Sequence, residues 1–179
     1  MSATPEGRNG DVKLTELFLA ELAREGDRSR RVLEQIPDGK YDWKPHDRSM
    51  VFGYLAEIIA SIPSWVAMEV TRDELDLKPA GGPTLKKEPM HTSAQYLAVF
   101  DKAMAEARAA LQQTSDEFLM TPWRLLVTGQ VVAELPRHEM IRDTINHWAH
   151  HRGQMTVYLR LLGAKVPALY GPSADDQRF

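Results

Sequence analysis

Near the C-terminus, the run Asn146-His147-Trp148-Ala149-His150-His151-Arg152-Gly153-Gln154 sets two imidazoles, His147 and His151, four residues apart. On an α-helix, at about 100° per residue, His147, His151, Gln154 and Tyr158 fall within about 60° of one another and form a polar seam. Two histidines so placed can aim ring nitrogens at one point, which is how a helix offers paired ligands to zinc or a similar metal. Gln154 and Tyr158 have the reach to orient a ligand or a bound water, or to support metal ligands from behind. Inward histidines also serve simply as hydrogen-bond partners of neighbouring helices, so the spacing alone leaves both readings open. His150 lies roughly 60–100° from the pair and is expected at the rim or in solvent. His46 and His91 fall in loops and read as surface residues, and Trp43 and Trp65 as packing residues near a bundle end.

The seam needs a helix that faces it inward. Trp148, Met155, Leu159 and Leu162 flank it, and the segment from Pro136 to about Leu162 is closed by Gly163 and Pro167. Three other segments share the helical period. The first follows Asp11 as N-cap, its apolar positions Leu14, Leu17, Phe18, Leu22, Val32 and Ile36 recurring mostly at three- and four-residue steps, and ends at Pro37-Asp38-Gly39. The second starts at Ser49 and carries Phe52, Leu55, Ile58, Ile59, Ile62, Trp65 and Val66 on one stripe, with Pro63 expected to kink or interrupt it. The third is capped by Thr92 or Ser93 and runs through Tyr96, Leu97, Phe100, Met104, Ala107 and Leu111. Residues 78–89 read as a loop. Between Thr121 and Leu135 the β-branched content and Gly129 predict a long ordered loop or a small hairpin. Four long amphipathic helices imply an all-α bundle in one domain, residues 12–179, behind a flexible leader over 1–11.

Composition narrows the function. With 43% hydrophobic and 26% charged residues the 179-residue chain has the balance of a globular domain with a core of its own. A net charge of −3 supplies no field for phosphate backbones, and the arginines at 24, 28, 30 and 31 read as a solvated face beside Glu21, Glu25 and Glu34; nucleic acid is not an expected partner. The absence of cysteine removes disulfides, thiolate metal sites and a cysteine nucleophile. No apolar run reaches the roughly 20 residues of a membrane span, and residues 1–13 do not look like a secretory signal, so a soluble cytoplasmic protein is expected.

The run Asn146-His147-x-x-His150-His151-Arg152-Gly153-Gln154, followed by Tyr158-Leu-Arg-Leu-Leu-Gly and Val166-Pro167, resembles the C-terminal helix of DinB-family proteins. Trp43-Lys-Pro-His-Asp-Arg-Ser-Met, Leu55-Ala56, Ile62-Pro63-x-Trp65, Trp123 and Gly129 are similar to the same family. The resemblance spans nearly the whole chain. It implies an up-down-down-up four-helix bundle, a homodimer, and a divalent metal such as zinc or nickel on three histidines, two of which map onto His147 and His151. The third does not map: Ile58 stands where the family has histidine. Glu57 is one residue, about 100°, away, and His46 could approach only from the preceding loop.

The resemblance further implies an enzyme acting on a small molecule, by transfer of a low-molecular-weight thiol to an electrophile or by hydrolysis. Gln154, Tyr158 and Arg152 are its candidate substrate-binding or supporting residues. Arg152 or Arg160 could neutralise an anionic group. The alternative is a metal-free, non-catalytic binding or stress-response interaction module on the same bundle.

Overall fold

Four long helices carry most of the chain in the computed structural model, which describes residues 12–82 and 89–178. They are α1 (Leu14–Leu33), α2 (Phe52–Thr71), α3 (Ser93–Gln113) and α5 (Arg137–Leu161); α4 (Asp116–Leu119) is a single turn. Ser93 Oγ donates to the Leu33 carbonyl and Arg30 pairs with Asp101, so α1 and α3 are antiparallel. Glu69 meets Thr144, and Tyr158 Oη donates to the Met50 carbonyl, so α2 and α5 are antiparallel as well. α4 joins the starts of α1 and α5: Asp116 bonds Leu14 and Thr15, and Phe118 lies under the Arg137 guanidinium. The long helices therefore run up, down, down, up around a core that includes Leu22, Phe52, Leu55, Ile59, Ile62, Phe100, Trp148 and Met155.

Local chemistry sets the helix ends. The leader over 1–11 and Asp11, the expected N-cap of α1, lie outside the described residues. α1 begins at Leu14 behind Lys13, which provides no side-chain cap. Asp116 supplies it from a distance instead, its carboxylate accepting from the Leu14 and Thr15 amides at 2.8 and 3.0 Å. α2 starts at Phe52 rather than Ser49, because the Phe52 and Gly53 amides donate to the Trp43 and Tyr41 carbonyls of the loop before it. α3 is capped by Thr92 in a reciprocal capping box with Gln95. α5 follows Pro136 directly, and Gly163 at φ 72° closes it.

Pro63 does not end α2; the helix runs through it to Thr71. A proline at 63 has no amide to offer the Ile59 carbonyl one turn earlier. The Trp148 indole donates to that carbonyl at 2.9 Å, so the defect in α2 becomes an anchor for α5 between His147 and His151.

The fold is mostly helical but not all-helical. The segment before α5 is the hairpin form of the two expected alternatives, β2 (Pro122–Val127) and β3 (Gln130–Pro136), antiparallel with Leu125 opposite Ala133. Thr128 and Gly129, both at positive φ, make its two-residue turn. A third strand, β1 (Glu74–Asp76), which the sequence did not suggest, pairs parallel with β2 and completes a sheet of order β1-β2-β3. Asp76 holds the turn from this strand: its carboxylate accepts from the Lys78, Thr128 and Gly129 amides, and these bonds keep it below its ordinary range.

Candidate functional site

His147 and His151 do converge. Their Nε2 atoms lie 2.6 Å apart and their ring centroids 4.5 Å apart. His151 is buried, 7% exposed, whereas His147 is exposed, its ring 5.4 Å from that of Trp65 on α2. The pair thus sits at the edge of the bundle rather than wholly inside it. Gln154 Oε1 is 2.8 Å from Nδ1 of His151. An amide oxygen only accepts, so Nδ1–H of His151 donates to Gln154 and its Nε2 accepts from Nε2–H of His147. Nδ1 of His147 is left as the free acceptor of the pair. Desolvation, then the neighbouring His151 and His150, lowers the His147 pKa, so the ring is neutral at pH 7.

The remaining sequence candidates scatter. His150 is exposed, its ring 5.2 Å from that of His151. Tyr158 spends its hydroxyl on the Met50 carbonyl and packs edge-on against Trp43. Arg152 is fully buried on the α1 side, donating to the Glu25 carbonyl and carboxylate, Ser29 Oγ and Tyr170 Oη. Burial alone would raise the Glu25 carboxyl, but Arg152, Tyr170 and Arg28 outweigh it and hold it below its ordinary value. Arg152 is therefore occupied in tying α5 to α1 and to the C-terminal segment. Arg160 pairs with Asp175 at the surface.

Two imidazoles match part of a metal centre and no more. Nitrogens sharing a tetrahedral ion stand about 3.3 Å apart, so the pair has to open slightly from its hydrogen-bonded contact. Among the described residues no group of three or more histidine, aspartate or glutamate side chains is placed to hold an ion. On the face of α2 that meets His147 through Trp65, the residues next toward the start of the helix are Ser61 and Ile58. Glu57 lies near Tyr96 of α3, where its charge helps to raise that phenol after burial has done most of the work. His46 is exposed in its loop and accepts from the Arg48 amide. The residues present do not fit the closed three-histidine centre that the resemblance implies.

The pair borders a cavity that the sequence did not reveal. It has a volume of about 290 Å³ and lies between α2, α5 and the sheet, with Trp65, Met68, Leu75, Trp123, Leu125 and Met140 among its apolar walls. His147, Asp143 and Leu77 stand at its exposed edge, while Glu69 and Trp123 line it and are almost wholly buried. Glu69 accepts from the Thr144 hydroxyl with one oxygen. Burial, with a smaller contribution from Asp143 and against the Thr144 bond, pushes its carboxyl up to about 8, so it is mostly protonated at neutral pH. Its other oxygen, Oε2, and the Trp123 indole nitrogen are buried with no hydrogen-bond partner among the described residues. Arg137 fixes this end of the cavity by donating to the Glu69 and Arg72 carbonyls at the end of α2, to Asp73 and to Thr121. One sequence signal was available: Glu69 lies on the inward face of α2 four residues after Trp65, a charged residue at a core position.

Comparison with known proteins agrees with this architecture. The model of the DinB family matches residues 9–178. The chain is 36% identical over 90 residues to the uncharacterized protein YrdA of Bacillus subtilis (strain 168), a match over 49% of this chain and 51% of that protein, so it spans about half the length of this curated relative. The crystal structure of a DinB-like protein from Bacillus cereus ATCC 10987 superposes with a TM-score of 0.65 at 23% identity, covering 86% of this chain and 95% of the other. That of a DinB-like protein (YjoA) from Bacillus subtilis gives 0.62 at 19% identity, covering 90% and 99%. At these identities the two structures speak for the fold alone.

Proposed function

The chain belongs to the DinB family, and from that premise we propose that it acts on a small, largely apolar molecule held in the cavity beside His147. The position of His147 carries the proposal: the same ring forms half of the imidazole pair and part of the cavity wall. The free Nδ1 of His147 takes the proton of an S–H or O–H group. The sulfur or oxygen bonds to an electrophilic carbon of the cavity-bound molecule as the bond from that carbon to a leaving group breaks, and His147 gives the proton to the departing group. Since the chain has no cysteine, a sulfur nucleophile arrives as a low-molecular-weight thiol cosubstrate; with water the same reaction is a hydrolysis. Gln154 positions His151, which positions His147.

A divalent ion such as zinc or nickel belongs to a second form of this reading, favoured by the convergence of the two Nε2 atoms. His147 and His151 would hold it weakly, with solvent or the thiol in the remaining places, and when bound it would lower the pKa of a ligating thiol or water. The metal-free binding module is favoured by Ile58 and by the bond the two rings already make with each other. A cytoplasmic homodimer is part of the proposal; among the described residues no helix is long and apolar enough to cross a membrane.

Metal analysis and thiol-conjugation assays on protein purified without an affinity tag, alongside His147→Ala and His151→Ala, separate the three. Turnover that survives a chelator and is lost in the His147 variant supports the base mechanism. Turnover that a chelator abolishes and added zinc or nickel restores, lost in both variants, supports the metal form. Ligand binding without turnover toward any thiol or water acceptor tried leaves the module.

A further inference from the structure

The chemical class of the cavity's ligand can be read from what the cavity leaves unsatisfied. Trp123 Nε1–H is only a donor, is buried, and has no acceptor among the described residues. Glu69 Oε2 is in the same position, on a side chain 4% exposed, its partner oxygen already taken by Thr144. Each unmade bond of this kind costs about 1–3 kcal/mol, so two of them in one wall are unusual in a folded chain. Both side chains line the cavity, and among the described residues no Lys or Arg lines it with them.

We propose that the cavity is a binding site for a compact, uncharged carbonyl compound with an apolar body, whose oxygen accepts hydrogen bonds from the Trp123 indole and the Glu69 carboxyl. This deepens the function proposed above and rests on it. The apolar walls from α2, β1, β2 and α5 take the hydrocarbon part. Among the described residues an anionic ligand meets no cation there, and it meets Asp143 at the edge. A cationic ligand leaves the indole donor unmet, since an ammonium group has no lone pair to give it. Glu69 kept protonated by its burial has the hydrogen that a carbonyl oxygen needs. Two donors on one oxygen would also favour the negative charge that gathers there when a nucleophile attacks the carbon, which links recognition to the chemistry of His147.

The test uses three molecules of one shape, 2-indanone, indane and 2-aminoindane, titrated into the full chain at pH 7 with binding read by calorimetry and two-dimensional NMR. The ketone is expected to bind about tenfold or more tightly than the hydrocarbon, the discrimination one or two buried hydrogen bonds confer. Trp123→Phe should cut the preference for the ketone severalfold, leaving the part that Glu69 supplies, and Glu69→Gln, which keeps a donor, should preserve most of the preference. Equal binding of ketone and hydrocarbon to the wild-type chain overturns the carbonyl assignment while leaving a small-molecule cavity in place. Tightest binding of the amine overturns it in favour of a carboxylate that pairs with cations. Binding of none of the three overturns the occupied-cavity reading, and the assignment falls with it. The comparison within the wild-type chain stands whether or not the variants fold.

Discussion

Replacing Glu69 by glutamine should stabilise the protein in a way that depends steeply on pH. A glutamate free in the unfolded chain titrates near 4.5, while burial pushes Glu69 in the folded chain up to about 8. Between those values the folded chain keeps a proton that the unfolded chain has released. Its stability therefore falls as pH rises, by about 1.4 kcal/mol per pH unit while both conditions hold. From the ordinary glutamate range to pH 7 the loss is about 3 kcal/mol, a large part of a typical domain's total stability. Glutamine retains an acceptor for Thr144 and a donor in place of the acid hydrogen but carries no titrating proton. Urea unfolding of both proteins at half-unit steps from pH 4.5 to 8 measures the effect. The Glu69→Gln curve should lie close to the wild type at the acid end and above it by about 3 kcal/mol at pH 7, the other titrating groups cancelling in the difference. A gap that stays constant across the range would refute the argument, because Glu69 would then be ionised in the folded protein as readily as outside it.

Arg152→Met should cost about 3 kcal/mol in the same assay, because Glu25 remains buried without its principal counter-charge; the further change Glu25→Gln should recover part of the loss rather than add to it. Asp76→Ala should leave the helices protected in hydrogen exchange while the Thr128 and Gly129 amides and the β2–β3 ladder exchange faster, since the carboxylate that holds the turn is gone. Ile58→His offers the pair a third imidazole from α2, and zinc affinity measured by calorimetry should rise on the order of tenfold or more over the wild type. An unchanged affinity would place Ile58 off the face that the family resemblance assigns to the third ligand.

The helices and the histidine seam were legible because they rest on periodicity. His147, His151 and Gln154 meet because four- and three-residue steps bring side chains together on any α-helix, whatever packs around it. The hairpin was legible in the β-branched run and Gly129. What escaped depends on contacts between distant segments. β1 is three residues long, too short to show an alternation, and exists because β2 pairs with it and Asp76 catches the turn more than fifty residues later. The cap of α1 comes from Asp116, about one hundred residues away, so no local pattern at its start could announce it. Arg152 sits within the recognisable motif, yet its direction was decided by Glu25 and Tyr170, which lie on other segments. Pro63 was read from its missing amide, but its consequence depended on a tryptophan that only tertiary packing brings to Ile59.

The most direct single measurement follows the Trp123 indole proton and the His147 ring nitrogens together by ¹⁵N NMR while 2-indanone is added. A downfield shift of the indole proton and a perturbation of His147 that saturate at one common concentration are the expected result. Movement of Trp123 with a silent His147, or of His147 with a silent Trp123, would mean that the imidazole pair and the cavity are not one site.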